Sequence, residues 1–324
     1  MSDALQLTVA IPVHDDLPYL TRLLGRLHGL GCVAHVVVVD DGSPVPLDAP
    51  ALCAASGLAR RQLTLVRHDR PQGPGVARNR ALAQVRTGHL LFLDADDLPT
   101  AELPGLLADL AGQRFDFCIF QHHDSRSAAE GRWGQTRHDR ALWRAAGTDI
   151  GALGPVTPEA AAQLMRTANY PWNKIYRTDF LRRHRIACSP IPVHEDIELH
   201  WRSFLCADRI LASDRVAVIH FVDDGGNRLT NRAGPERLQV FQPLDALAAE
   251  IAARGTDPMP FLLFSLELLD WIRGNLRPEL QPDLTRRARD WMARHLSPAQ
   301  SAALDAARPG LRARLAPAPP GPAP

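Results

Sequence analysis

The chain has 324 residues, of which 45% are hydrophobic and 23% charged, and its formal net charge is +1 at pH 7. This length can bury a large core in one or two domains, and the composition is typical of a soluble globular protein. A net charge this close to zero gives no strong attraction to nucleic acid, so we expect no nucleic-acid partner. The five scattered cysteines form no CxxC pair, which argues against a disulfide framework and a zinc site.

The ends and the apolar runs of the chain bear on its location. The first residues, MSDALQLTVA, lack the basic region and the long apolar stretch of a secretory signal peptide. The most apolar later run, Phe261 to Leu269, is too short to span a bilayer and contains Glu267. We therefore expect a cytoplasmic protein, and a peripheral position at the inner face of a membrane is compatible with this expectation.

The first third of the chain alternates predicted strands with predicted helices. The predicted strands are Leu7–Pro12, His35–Asp40, Leu63–Arg67, Leu90–Asp94 and Phe115–Phe120, and the predicted helices fall at Leu20–Leu27, Ala77–Val85 and Leu103–Leu110. This alternation indicates βαβ units, and thus an α/β protein with a mostly parallel sheet flanked by helices. In such sheets, ligands bind beyond the C-terminal ends of the strands.

The middle of the chain has a less regular pattern. Residues 122–148 are polar and rich in arginine, and we predict an irregular or flexible excursion there. A helix is predicted at 160–166, with Thr157 as its cap and Pro158 at its first position. Another short helix is predicted with Thr178 as its cap, and a last strand is predicted at Val216–Phe221, before a glycine-containing loop at 224–228.

Beyond residue 234 the pattern is that of amphipathic helices. They are predicted at Leu238–Ala253, Phe261–Leu276 and Leu284–His295. We expect these helices to pack on the catalytic domain or on another subunit, in a homo-oligomer. The tail 316–324 is too rich in proline to fold and is predicted to be disordered.

Clustered acids end the apolar run that begins at Leu90. Asp94, Asp96 and Asp97 follow it directly, and a buried strand that delivers carboxylates is costly unless a positive group meets them. Oxygen ligands of this kind suit Mg²⁺ or Mn²⁺. The alternative interpretation is a solvated turn that leads into a helix capped at Thr100.

Two other acidic groups accompany this one. Asp41, in DDGS, follows a buried strand at a turn that glycine permits, although Asp-Gly is also an ordinary turn signal. Asp196, in His194-Glu195-Asp196, begins a predicted helix, where it could act as a general base or simply favour the helix dipole. The sequence HEDIE is not the HExxH zinc pattern.

The segment GPGVARNR, residues 73–80, lies between the first two acidic groups. It matches neither GxGxxG nor a P-loop, which disfavours a Rossmann cofactor and a Walker-type phosphate cradle. Arg78 and Arg80 are two positions apart and so lie on different helix faces. We expect Arg78 to point towards phosphates and Arg80 to be solvated.

The order of these motifs resembles that of the family-two nucleotide-sugar glycosyltransferases. The motifs are IPVHDDLPYL, VVVDDGS, GVARNRAL, GHLLFLDADD, NKIYR, HEDIEL and GGNRLT, from about Leu7 to Thr230. The resemblance implies a GT-A (Rossmann-like) fold with a mixed, mostly parallel sheet over residues 1–234. A nucleotide-binding half would cover 1–121 and an acceptor half 122–234, followed by the helical region 235–315.

The resemblance also implies roles for donor-side residues. It places Pro12 and Asp41 at the nucleoside base, Asp94 at the ribose and Asp96 at the metal and diphosphate, and it makes Asp196 the catalytic base of an inverting reaction. Asp97 would be a supporting residue or the start of the next helix. The chain departs from the family after Pro12, where an aromatic residue and an asparagine are common and His14 and Asp15 stand here.

Other roles concern the acceptor side and the loop. WNKIYR resembles a segment of enzymes that build capsule, lipopolysaccharide or exopolysaccharide, which places Trp172, Asn173 and Lys174 in the active site. His194 and Glu195 would line it as well. His220 is either a further metal or phosphate ligand or a buried structural histidine. Arg228, beside Gly225 and Gly226, would close over the diphosphate.

The expected function is inverting, metal-dependent sugar transfer with Mn or Mg as cofactor. The partners would be a nucleotide-sugar donor, most often a UDP-sugar, and a hydroxyl of a glycan or lipid-linked acceptor. A non-catalytic nucleotide-sugar binding or assembly subunit is one alternative, which the three intact acidic groups disfavour. A sugar nucleotidylyltransferase is another, but such enzymes carry a glycine-rich GTR-type loop where this chain has PVHDDLPY.

Overall fold

A computed structural model describes residues 5–147, 153–222 and 232–315 of the chain. By internal contacts the chain divides into two units: unit 1 is Met1–Pro190 with Glu195–Asp224, and unit 2 is Ile191–His194 with Gly225–Pro324. The sequence did not predict that the short segment Ile191–His194 belongs with the C-terminal region. The predicted glycine-containing loop with Arg228 and the predicted disordered tail lie outside the described residues.

The described part of unit 1 forms one nine-stranded sheet with helices on both faces. Its strands are β1 (Leu7–Val13), β2 (His35–Asp40), β3 (Leu63–Arg67), β4 (His89–Phe92), β5 (Leu98–Pro99), β6 (Phe117–Asp124), β7 (Gly154–Pro155), β8 (Lys174–Arg177) and β9 (Ile210–His220). Its helices are α1 (Leu17–Leu30), α2 (Ala49–Ser56), α3 (Pro74–Gln84), α4 (Glu102–Leu110), α5 (Ser125–Ala129), α6 (Arg137–Ala145), α7 (Pro158–Leu164), α8 (Thr178–Arg183) and α9 (Ile197–Cys206).

The strand order is β3-β2-β1-β4-β8-β6-β9-β5, with β7 also beside β9. The first four strands along the chain pair in parallel, as the βαβ pattern predicts. β8 then lies antiparallel to both β4 and β6, while β6 and β9 are parallel. The predicted mixed sheet flanked by helices is confirmed. The central antiparallel strand was not predicted, because its four residues are too few to show a period.

The sheet is buried on both faces, and alternate residues of each strand face opposite helices. Val36 and Val38 belong to one apolar cluster with the buried face of α1, whereas Val37 and Val39 belong to another with α3. The run Leu90–Leu93 is at most 1% exposed. This burial confirms that the acids after β4 follow a strand covered on both sides.

The segment after Gln121 corrects one prediction. β6 continues to Asp124, whose carboxylate caps α5 by accepting a hydrogen bond from the backbone N–H of Arg126. Thr136 then caps α6, and that helix buries Leu142 and Trp143. The prediction of an irregular excursion is therefore wrong for the described residues 122–147. The many arginines made this segment look irregular in the sequence, because they occupy the exposed faces of short helices that bury few residues.

Two boundaries also differ from the predictions. β9 begins at Ile210 rather than Val216, since its residues from Ile210 onwards already pair with β6, and register shifts on either side of Gln121 interrupt that pairing. Helix α8 includes Thr178 as its first residue, and its cap is Arg177, which makes no side-chain capping bond. The cap of α7 is as predicted, since Thr157 accepts a hydrogen bond from the backbone N–H of Ala160.

The described part of unit 2 is helical. After a 3-10 turn at Pro235–Val240 come α10 (Phe241–Arg254), α11 (Met259–Asn275), α12 (Gln281–His295), α13 (Pro298–Ala307) and α14 (Leu311–Leu315). The three helices predicted in this region are confirmed, although the first begins as the 3-10 turn, and α13 and α14 were missed. Across the described ranges, no helix is both long enough and apolar enough to cross a membrane.

Candidate active site

Asp41 follows β2 directly, and three groups donate hydrogen bonds to its carboxylate. Its carboxylate accepts from the Nδ1–H of His68 at 2.7 Å and from the backbone N–H groups of Gln72 and Gly73 at 2.9 and 2.8 Å. Gly73 is the N-cap of α3. These contacts fix the Asp41 carboxylate at the C-terminal edge of the sheet, where ligands of α/β proteins bind.

The turn after Asp41 requires glycine. Gly42 has a φ of +73°, and a Cβ at this position would lie 2.6 Å from the carbonyl carbon of Arg70. His14, where the family pattern differs, donates from Nδ1 to the backbone oxygen of Asp41 at 2.9 Å. Pro12 pairs with Val39 of β2, so the ends of β1 and β2 meet at this turn. Of the two residues predicted to hold the base, Pro12 thus lies on β1 and Asp41 directly after the adjacent strand β2.

The turn after β4 presents Asp94 and Asp96, both half-buried. The backbone N–H of Asp97 donates to the carbonyl of Asp94 at 3.1 Å and closes the turn. Arg22 of α1 donates to the backbone carbonyl of Asp96 at 2.7 Å. The backbone of this acidic turn is therefore held from within and from α1.

Asp97 has a supporting position under this turn. It is fully buried and accepts from Nδ1–H of His220 and from the backbone N–H of Phe221, both at 3.0 Å. β5 pairs with β9 through Leu98 and Ile219, which brings the two residues together. Burial raises the pKa of Asp97. Burial also opposes the charged form of His220, but the Asp97 carboxylate prevails and raises the pKa of that imidazole.

Arg78 joins the second acidic group to the third. Its guanidinium is buried and donates to Oδ1 of Asp94 at 2.5 Å and to Oε1 of Glu195 at 2.7 Å. Burial opposes its charge, but the two carboxylates raise the pKa of Arg78 well above its ordinary value. The predicted contact of Arg78 with phosphates stays a prediction, since both terminal nitrogens hold carboxylates here. Arg80 is exposed, as expected.

Two other residues of helix α3, which were not predicted to belong to the site, contact Glu195 and the chain that leads to it. A Cβ at Gly75 would lie 2.8 Å from the Cβ of Glu195, so glycine permits this close approach. Asn79 exchanges two hydrogen bonds with the backbone of Cys188, at 2.8 and 2.9 Å. Residues 75, 78 and 79 lie on one helix face. This spacing could have indicated from the sequence that the three residues contact a common partner.

Asp196 is the N-cap residue of α9, yet its side chain makes no capping hydrogen bond. The residue is half-buried. Burial raises the pKa of Asp196 to about 8, and repulsion from Glu195 adds to the rise, while Arg78 and Lys174 oppose it. A carboxylate with such a pKa suits proton exchange near neutral pH.

Lys174 is the only lysine of the chain, whose other basic residues are arginine or histidine. It is fully buried and donates from Nζ to the carbonyl of Tyr170 at 2.8 Å and to Oδ1 of Asn173 at 2.6 Å. Burial lowers the pKa of Lys174 to about 7, although the carboxylates of Asp196 and Asp139 favour its charge. A single lysine in a chain rich in arginine is a sequence feature that could have indicated a special role for Lys174.

Aromatic rings surround His220. Trp172 stacks on Tyr170 with ring centres 4.3 Å apart, and it lies 4.8 Å from the rings of both His122 and His220. Trp172 is 1% exposed, so it supports the site from within. His122 is also buried, and burial lowers its pKa to about 3, which keeps it neutral. His122 was not predicted from the sequence to belong to the site.

The side chains of the site can be compared with the ligands that the expected metal ion needs. In the described part of the chain, no three or more His, Cys, Asp and Glu side chains are grouped so as to hold a metal ion. The carboxylates of Asp94 and Asp96 are nevertheless ligands of the type that Mg²⁺ and Mn²⁺ prefer. Mg²⁺ in particular commonly takes only one or two protein carboxylates, with waters and substrate phosphates completing its shell. Because Nδ1 of His220 is bonded to Asp97, only Nε2 of that ring could ligate a metal ion.

Comparison with known families gives a match that covers more than half of the chain. The model of "Glycosyl transferase family 2" matches residues 8–180. The pre-mycofactocin glycosyltransferase of Mycobacterium tuberculosis is 36% identical over 111 residues, 34% of this chain and 21% of that protein. The succinoglycan biosynthesis protein ExoW of Rhizobium meliloti is 36% identical over 101 residues, 30% and 31% of the two chains. The chain thus aligns with less than a third of the length of either relative.

Comparison with solved structures covers nearly the whole chain. S. aureus TarS 1-349 in complex with UDP-GlcNAc superposes with a TM-score of 0.72 over 95% of this chain and 87% of that one, at 21% identity. The same protein in complex with UDP gives a TM-score of 0.70. At this identity the likeness shows the fold, and together with the family match it confirms the predicted GT-A fold.

Proposed function

Because the chain belongs to glycosyltransferase family 2, we propose that it transfers a sugar from a UDP-sugar to a hydroxyl of a glycan or lipid-linked acceptor, with inversion. The TarS structures with UDP-GlcNAc and UDP support the choice of donor class. The similarity to ExoW, a succinoglycan biosynthesis protein, favours a saccharide acceptor. The proposal includes a cytoplasmic location, with the membrane surface as the place where a lipid-linked acceptor would be met.

One observation carries this proposal: Arg78 holds Asp94 and Glu195 on one guanidinium. Asp94 belongs to the acidic turn proposed to bind ribose and diphosphate, and Glu195 is bonded to Asp196, the proposed base. This bridge supports the proposal that the donor-binding turn and the neighbouring base act on one bond. Asp41, at the N-terminus of the same helix as Arg78, would accept the ring N–H of uracil, with Pro12 beside it.

The reaction needs one proton acceptor. Asp196, in its carboxylate form, would take the proton of the acceptor hydroxyl while the hydroxyl oxygen bonds to the anomeric carbon and the bond from that carbon to the diphosphate breaks. Attack from the face opposite the diphosphate inverts the configuration and needs no covalent sugar–enzyme intermediate. A base is most effective when its pKa is near the working pH, and the raised pKa of Asp196 fits that requirement.

Asp96 would hold a Mn or Mg ion, with Asp94 and His220 as further ligands. When bound, the ion would neutralise charge on the departing diphosphate. Trp172, Asn173 and Lys174 would form the inner wall of the acceptor side. Arg228 retains its proposed role as a residue that closes over the diphosphate, and Arg228→Ala should then weaken donor binding and lower turnover.

The test is release of nucleoside diphosphate from a panel of UDP- and GDP-sugars with MnCl₂, with water as acceptor. Wild type, Asp96→Ala and Asp196→Asn are compared, and UDP binding is measured by calorimetry. We expect Asp96→Ala to lose metal-dependent UDP binding. Asp196→Asn should bind UDP normally and lose at least about 100-fold in kcat, the scale of a general base. Full activity in both variants would refute the proposal and favour a site elsewhere.

A further inference from the structure

A short segment of unit 2 leads directly into the proposed base. Ile191–His194 belongs to unit 2 by its contacts, although residues of unit 1 precede and follow it in the chain. Ile191 and Val193 are buried, at 3% and 6% exposure. His194 is bonded to Glu195, so the backbone of His194 determines where the Glu195-Asp196 pair begins.

His194 has an uncommon backbone conformation. Its φ is +66°, in the left-handed region, which costs a residue with a side chain about 1–2 kcal/mol. Such a conformation persists where surrounding contacts impose it. Burial, together with the charge of Arg237, lowers the pKa of His194 to about 3, so its ring is neutral and can accept a hydrogen bond.

Arg237, in the 3-10 turn at the start of unit 2, makes the contact with His194. Its Nη1 donates to Nε2 of His194 at 3.4 Å. Its Cζ lies 4.7 Å from the centre of the Trp271 ring, and its Nε donates to the carbonyl of Arg232. The side chain is only 1% exposed. The planar guanidinium is thus fixed on several sides and can hold the histidine ring in one orientation.

The two ends of this segment meet in unit 1. The backbone N–H of Ser189 donates to the carbonyl of Glu195 at 2.8 Å, and its hydroxyl donates to Glu198 at 2.9 Å. Residues 189–195 therefore form a closed loop. Glu195 lies where the loop closes, and Arg237 contacts His194, the residue just before it. A change in the backbone of His194 would therefore occur at the residue that directly precedes Glu195 and Asp196.

We propose that Arg237 is a positioning residue for Asp196, acting through His194. This role rests on the proposed function, in which Asp196 is the base. Arg237 would hold His194 in its left-handed conformation, and that conformation would direct the first turn of α9 so that the Asp196 carboxylate meets the acceptor hydroxyl. A displacement of about 1 Å in a reacting group can lower a rate by about 100-fold.

The first test is Arg237→Met, which keeps a long apolar side chain and removes the donor. Hydrolysis of the UDP-sugar selected by the panel should fall about 10- to 100-fold in kcat. The Kd of UDP with MnCl₂ should change less than about twofold, because Asp41, Asp94 and Asp96 keep their places. The calorimetric stoichiometry of UDP gives the folded fraction, so a fall caused by unfolding would appear as lost binding sites. Equal losses in sites and in rate would overturn the proposal.

The second test is a double-mutant cycle with His194→Gly. Glycine adopts a positive φ without strain but offers no ring to Arg237. If the two residues act through one contact, His194→Gly should lose about as much kcat as Arg237→Met, and the double variant should lose no more than either. If the loss of kcat in the double variant equals the product of the two single losses, the residues act independently and the proposal is overturned. Trp271→Leu keeps the Arg237–His194 hydrogen bond but removes a ring that lies against both residues. It should lose less kcat than Arg237→Met, and a larger loss would contradict the proposal.

Arg308→Met is the matched control, because Arg308 also lies in unit 2 and forms an exposed ion pair with Glu267. It should retain wild-type kcat. The outcomes separate the two proposals. A wild-type chain that hydrolyses no donor refutes the proposed function and the positioning role together. An active wild type with an equally active Arg237→Met refutes the positioning role alone.

Discussion

The two acidic segments of unit 1 differ in what balances their charge. In the turn after β4, Asp94 pairs with Arg78, and Asp97 accepts from His220 and from a backbone N–H. At the start of α9, Asp196 makes no capping bond, and burial raises its pKa to about 8. Carboxylates with fixed partners suit the binding of charged ligands in fixed places. A carboxylate without a capping bond and with a raised pKa suits the exchange of a proton.

Arg78 contacts both acidic segments, so its removal should have the largest effect. Arg78→Met would leave Asp94 and Glu195 without their shared cation in a buried place, which typically costs about 3–5 kcal/mol of folding free energy. It would also remove a charge that holds down the pKa of Asp196. We expect the free energy of unfolding in urea to fall by that amount and donor hydrolysis at pH 7 to fall at least about 100-fold.

Arg80→Met is the control for this change, because Arg80 lies on the same helix and is exposed. Its free energy of unfolding should stay within about 0.5 kcal/mol of wild type. If both variants unfold at the same urea concentration as wild type, Arg78 does not join the two acidic segments, and the comparison between them fails.

The pH dependence of turnover should show the raised pKa of Asp196 directly. Only the carboxylate form accepts a proton, so kcat should rise with pH through an inflection near 8. The charge of Lys174 favours that carboxylate. Because Lys174 is itself only partly charged at pH 7, Lys174→Met should move the inflection slightly to higher pH and lower kcat at pH 7 by about two- to threefold. An inflection at or below pH 5 in the wild type would show that Asp196 is an ordinary carboxylate.

Lys174 also allows a direct measurement, because it is the only lysine. Labelling lysine with ¹⁵N at Nζ should give a single side-chain amine resonance in NMR spectra. Its titration midpoint should lie near pH 7. Asp196→Asn removes a carboxylate that favours the ammonium, so the midpoint should move lower. A midpoint near pH 10 in the wild type would contradict the buried position of Lys174.

The parallel half of the sheet was predictable because its strands are rich in apolar residues and alternate along the chain with helical patterns. His35–Asp40 and Leu63–Arg67 were predicted with the bounds that the structure has. The half that contains residues 122–147 was not, because tertiary contacts decide it. β8 is too short to show a period, and α6 is mostly polar yet buries Trp143.

The residues of the site likewise fall into those that the sequence predicted and those that it did not. Asp41, Asp94 and Asp196 were found because each directly follows a strand or begins a helix, where sequence position alone indicates exposure to a ligand. Gly75 and Asn79 were not, because their partners, Glu195 and Cys188, lie more than a hundred positions away in the chain. Arg237 could not be found from spacing at all, since its role depends on the conformation of His194.

Asn79 gives a smaller expected effect than Arg78 and sharpens the comparison most. Asn79→Ala removes two hydrogen bonds and leaves the backbone N–H and carbonyl of the buried Cys188 without these partners, which should destabilise the fold by about 1–3 kcal/mol. The acidic turn after β4 does not depend on Asn79, whereas the segment before Asp196 does. We therefore expect the Kd of UDP to stay within about twofold of wild type while kcat falls about three- to tenfold. Arg80→Ala, one position further along α3, controls for the change in helix propensity. A larger effect on UDP binding than on kcat would mean that the two acidic segments are held as one, and that the difference in their charge balance does not separate binding from proton transfer.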